Sequence, residues 1–130
     1  MNQAALNLYR NTGVQGGVID ASPHQLILML ITGAQDRIAS AKGSILRGEV
    51  ARKGEMLCNA IAIIDNLRAS LDHARGGEIS KNLAMLYDYM ESQLVQANLA
   101  SDANILDEVS SLLAEVRAGW ESIPVDARRF

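Results

Sequence analysis

With 130 residues the chain has room for one domain, and at 48% hydrophobic but 4% aromatic content its core must be aliphatic. Lys and Arg (12) fall below Asp and Glu (15), giving a formal net charge of −3; this argues against the basic face that a nucleic-acid binder needs to displace counterions. The single cysteine, Cys58, cannot form an internal disulfide and fits a reducing cytosol. The start, Met1 to Ala5, has no positive region followed by an apolar run, and no stretch of about eighteen apolar residues offers a membrane span.

Residues 1–21 read as an N-terminal arm. Leu6, Leu8, Tyr9, Val14, Val18 and Ile19 are apolar, but Gly13, Gly16 and Gly17 interrupt any helical period. A first helix starts at Ser22, a capping residue followed by Pro23 in the first turn and Gln25 at the capping-box position. Its stripe is Ile27, Ile31, Ala34, Ile38, Ala41 and Ile45, in steps of four and three, and Gly48 marks a left-handed stop.

Glu49 opens a second helix, where a negative charge suits the positive end of the dipole. Its stripe is Val50, Gly54, Leu57, Ile61, Ile64 and Leu71, with Leu67 adjacent. Around Ala60 to Ile64 the helix is apolar on nearly every side. It is expected to end at Gly76-Gly77, with His73 and Arg75 in its last turn. A third helix starts at Glu78 and carries Ile79, Leu83, Leu86, Met90, Leu94 and Ala97, with Met85 and Tyr89 on a second face. It fades between Asn98 and Ser101. A fourth, capped by Ser101 or Asp102, carries Ile105, Val109, Leu112, Val116, Trp120 and Ile123, and Pro124 stops it. Each helix has roughly 20 to 27 residues and a length of about 30–40 Å. Connections this short force neighbours antiparallel. The fold expected is all-α: an up-down-up-down four-helix bundle over 22–124, with a short tail at 125–130.

Reactive chemistry is sparse. Di-metal bundles carry Glu three residues before His, but Ala21 and Ser70 stand three before His24 and His73, so no metal site is expected. No GxSxG elbow is present, and neither glycine pair follows a strand as a phosphate cradle would. His73-Ala74-Arg75-Gly76 bears a superficial likeness to histidine phosphotransfer bundles; the plainer reading is a cation at a helix C-terminus. Cys58 reads as a small buried or half-buried hydrophobe and Trp120 as core. Tyr87 and Tyr89 are about 200° apart on a helix, so one of them reaches the surface. No enzyme activity and no cofactor is expected.

The run Gly76-Gly77-Glu78-Ile79-Ser80-Lys81-Asn82-Leu83-Ala84-Met85-Leu86-Tyr87-Asp88-Tyr89-Met90 resembles the signature of the flagellar secretion chaperone family FliS, which escorts flagellin. Ala21 to Leu26, Met29-Leu30, Gly33-Ala34, Lys53-Gly54-Glu55, Ile63 to Leu67, Gln96 to Leu99 and Trp120 extend the likeness from about Tyr9 to Ile123. Ile31 and Thr32 depart from it, standing where the family often has an aromatic and an acidic residue. The resemblance implies a cytoplasmic antiparallel bundle that binds the C-terminal segment of flagellin. That segment is disordered in the free monomer, and the chaperone prevents its premature polymerisation and presents the subunit to the export apparatus. An export-gate component or co-chaperone is a further expected partner.

Apolar surplus supports a partner site from the residues themselves. The expected groove runs along the second and third helices, with the fourth as a candidate extension, lined by Leu57, Ile61, Ile64, Leu67, Asn82, Met85, Leu86 and Tyr89, and an amphipathic helix would dock there. Leu6 and Tyr9, three apart, are candidate lid residues for the empty groove. The free protein is expected to be a monomer or weak homodimer. The rival readings are a phosphorelay bundle using His73 and a self-associating structural bundle.

Overall fold

Ser22 turns the chain into the first helix through a reciprocal capping box: its hydroxyl accepts from the Gln25 amide at 3.2 Å, and the Gln25 side chain accepts from the Ser22 amide at 2.9 Å. Helix α1 (Pro23–Arg47) then runs to Gly48, whose φ of 71° provides the left-handed stop. The structure, a computed structural model, describes residues 22–123. Leu6 and Tyr9, and the tail at 125–130, lie outside that range.

Helix α2 (Val50–Ala69), α3 (His73–Ala100) and α4 (Ala103–Glu121) follow after connections of two or three residues. Each helix packs against the two beside it in a ring, α1 between α2 and α4 and α3 between the same two, and neither diagonal pair brings backbones together. This is the antiparallel four-helix bundle expected from the periodicity. The α1–α2 seam is the most extensive of the four.

The α2–α3 connection differs from the expectation. Helix α2 ends at Ala69 rather than at Gly76-Gly77, and Asp72 caps the next helix by accepting from the Arg75 amide at 3.1 Å. His73 is therefore the first residue of α3, exposed at a helix N-terminus, and the reading of it as a cation at a C-terminus is overturned. The opening turn of α3 is set off from the rest by Gly77, at φ 53° and ψ −124°, a conformation costly for any residue with a Cβ. The glycine pair breaks the path of α3 instead of stopping α2, and Ser80 braces the break by donating to the Asp72 carbonyl at 3.1 Å.

The core is aliphatic, as composition requires, with Leu30, Ile38, Leu57, Ile64, Met90, Leu94, Leu106 and Leu113 fully buried. Each buried Leu or Ile side chain contributes about 1.5–3 kcal/mol of transfer free energy. On α4 the buried row is Leu106, Val109, Leu113 and Trp120, while Ile105, Leu112 and Val116 stay half-buried. Both rows satisfy helical spacing; the position of α3 decides between them. Cys58 is exposed, against the expectation of a small buried hydrophobe, because α2 turns that edge outward.

Two polar contacts tie the ends of the bundle. Lys53 is 5% exposed, and its ammonium donates to the Asn98 carbonyl at 2.9 Å and the Ser101 hydroxyl at 2.7 Å. It places a positive charge at the C-terminal end of α3, where orphan carbonyls gather. At the opposite end His24 and Trp120 pair across α1 and α4. The Ser44 hydroxyl is the one buried side-chain polar atom without a partner among the described residues.

Candidate binding surface

The eight residues expected to form one groove do not share one surface. Leu57, Ile64 and Leu67 are core, 0%, 0% and 2% exposed. The surplus on α2 is absorbed because the helix is flanked by both α1 and α3, so the arc it buries is broad: Ala60 and Ile63 lie inside as well. Ile61 is half-buried, and only Ala62 of that run is exposed.

The two sides of α3 are identified by their ionic partners. Arg68 on α2 reaches Asp88 at 2.8 Å and lies 3.9 Å from Glu91, so these two acids mark the side facing α2. Ile61, seven residues before Arg68, lies on that same face of α2. Tyr89 instead donates its hydroxyl proton to both oxygens of Glu108 on α4, at 3.0 and 2.9 Å. Gln93 donates to the same carboxylate at 3.1 Å. Tyr89 therefore marks the side facing α4. Ile79, Asn82, Leu86 and Tyr89 succeed one another at helical steps of three, four and three, with Met85 beside them. Asn82, Met85, Leu86 and Tyr89 thus lie along the α3–α4 seam, and Ile61 lies across α3 from them.

An apolar strip results, interrupted by Asn82. On α3, Ile79 is 51% exposed, Met85 63% and Tyr89 44%, with Leu86 half-buried between them. On α4, Ile105, Leu112 and Val116 are half-buried and packed on the core edge. Glu108, Leu112 and Glu115 share a face at steps of four and three, so the carboxylates of Glu108 and Glu115 rim the strip. The fourth helix was a candidate extension of the groove, but none of its residues was identified from the sequence. Their signal was the double row on α4, two apolar stripes where one core face needs a single one.

The tyrosine question is settled by packing. Tyr87 is buried, and burial pushes its phenol up to about 12. The Tyr89 phenol is also raised, chiefly because the Glu108 carboxylate accepts its proton in a hydrogen bond. Around Arg68, hydrogen bonding to Asp65 and the charge of Asp88 raise the guanidinium, while partial burial and the neighbouring charge of Asp65 raise Glu91. These groups form an exposed ionic lattice across the α2–α3 seam. Among the described residues no three His, Cys, Asp or Glu side chains gather as metal ligands, and no helix is long and apolar enough to cross a membrane.

The surface is suited to contact rather than reaction: flexible thioether, phenol and aliphatic groups beside fixed acids. A family model described as flagellar protein FliS matches residues 5–127. The chain belongs to the FliS family. It is 44% identical over 119 residues to the flagellar secretion chaperone FliSB of Pseudomonas aeruginosa, covering 92% of this chain and 94% of that relative. It is 46% identical over 121 residues to the flagellar secretion chaperone FliS of Salmonella typhimurium, covering 92% and 90%. Similarity to the FliS of Bacillus subtilis extends over 107 residues at 36% identity, covering 82% and 79%. These relatives are named as chaperones, a non-enzymatic class. In this FliS-family chain, two of the stretches that carried the resemblance meet in space: Lys53 of Lys53-Gly54-Glu55 holds the carbonyl of Asn98 in Gln96 to Leu99.

Proposed function

We propose that this chain is a flagellin export chaperone that captures the disordered C-terminal segment of flagellin on the α3–α4 strip. The observation that carries the reading is the strip of Ile79, Met85 and Tyr89, exposed beside half-buried Leu86, in a chain of the flagellar secretion chaperone family. A segment that is disordered when free gains its apolar partners by folding into an amphipathic helix on that strip. Ordering it costs several kcal/mol, roughly 2–5, which a large contact area must offset. Ile61 on the far side of α3 gives a client that wraps around the helix a second foothold. Capture in the cytoplasm keeps the apolar face of the segment from other subunits. It thereby prevents premature polymerisation and leaves the subunit for delivery to the type III export apparatus. An export-gate component or co-chaperone would act on the loaded complex. Leu6 and Tyr9, on the glycine-interrupted arm, act as a lid over the empty strip, and the free chain is a monomer or weak homodimer.

Calorimetry with the C-terminal peptide of flagellin tests the reading. Saturable binding that weakens tenfold or more in Met85→Asp, with unchanged helicity and melting temperature, is the expected result. Full-affinity binding to Met85→Asp moves the site elsewhere, and no binding to the wild-type chain ends the proposal. Deletion of the residues before Asp20 tests the lid: peptide affinity should rise, and unchanged affinity retires it.

A further inference from the structure

We infer that the helix received on the α3–α4 strip carries basic residues beside its apolar face, spaced to meet Glu108 and Glu115 of α4 separately. This rests on the capture reading and specifies the chemistry of the occupant.

Charge complementarity supports it. Helix α4 carries Asp107, Glu108, Glu115 and Glu121 against a single cation, Arg117. The acids are not equivalent. Asp107 is turned to α1, where Lys42 meets it at 2.8 Å, and Glu121 takes Arg117 at 2.9 Å. Glu108 and Glu115 remain on the strip side, exposed and seven residues apart, about 10.5 Å along the helix. Glu115 has no hydrogen bond or ion pair among the described residues. Glu108 accepts from Tyr89 and Gln93, both neutral donors, and these bonds fix its carboxylate in place without cancelling its charge. A docked helix that buried only apolar groups would leave two anions at its edge and partly desolvate them. A Lys or Arg at that edge removes the penalty and sets the register. A like-charged edge is repelled, which adds discrimination.

The test uses the full chain and three synthetic amphipathic peptides, identical on the apolar face, with Lys, Gln or Glu at two flanking positions seven residues apart. The flagellin C-terminal peptide serves as a fourth arm. Calorimetry at low and high salt should rank the peptides Lys above Gln above Glu, with the Lys–Glu gap about three- to tenfold at low salt and narrowed in high salt. Glu115→Lys, whose native side chain bonds to nothing described and whose loss should leave folding intact, leaves Glu108 facing a cation on the same edge and should erase most of the gap between the Lys and Glu peptides. Equal affinity for the three peptides, with Met85→Asp still weakening binding tenfold or more, overturns the charge inference and leaves capture standing. Failure of every peptide, flagellin's included, overturns both. A homodimer that persists in light scattering at saturating peptide assigns the strip to a second copy and overturns the inference.

Discussion

His24 and Trp120 hold each other twice across 96 residues of sequence. The indole Nε1 donates to the His24 carbonyl at 3.1 Å, and the imidazole Nε2 donates to the Trp120 carbonyl at 2.8 Å. The rings stack at 5.0 Å between centroids and 9° between planes. A carbonyl oxygen only accepts, so Nε2 carries a hydrogen and the tautomer is specified by the fold. The pair joins the start of α1 to the end of α4, and so closes the ring of helices at the end where the described chain begins and finishes.

Each substitution removes only its own bond to the other residue's backbone carbonyl, but the ring stack is lost to either, so His24→Ala and Trp120→Leu should not add. A double-mutant cycle in urea unfolding should give a coupling energy of about 0.5–3 kcal/mol. Additivity within about 0.3 kcal/mol shows the two contacts to be independent.

Lys53→Met should destabilise the chain by about 1–3 kcal/mol, since it keeps the buried stem but strips the Asn98 carbonyl and the Ser101 hydroxyl of their donor. The loss is local, so amide exchange should accelerate at Ser101 and Asp102 before it does in the middle of α1. Lys53→Arg should rescue poorly, because a planar guanidinium does not replace a compact ammonium at this buried site.

Stability should fall at alkaline pH through Tyr87. Its folded value, about 12, lies above the ordinary 10. Below pH 10 the phenol is neutral in both states and the shift has no effect. Above it the unfolded chain loses the proton first, binds fewer protons than the folded chain, and is favoured. Chemical denaturation should therefore show a loss of about 1 kcal/mol per pH unit between pH 10 and 12, and Tyr87→Phe should flatten that limb relative to wild type. An unchanged limb in Tyr87→Phe assigns the loss to other groups.

The sequence by itself determined the class of fold, the start of α1, the stop at Gly48 and the identity of most core rows. These depend on local chemistry: caps, left-handed stops and a period of about 3.6 residues are written within a few residues of where they act. It also carried the family resemblance, because that rests on order and spacing. Tertiary structure decided the rest. Which of two rows on α4 is buried, why Leu57, Ile64 and Leu67 are swallowed while Met85 and Tyr89 are not, and why Lys53 is nearly buried all depend on where neighbouring helices stand in azimuth. A single helix's period sets the relative directions of its side chains but not which direction another helix will cover. The seam between α3 and α4, and with it the candidate site, exists only once four helices have chosen their neighbours.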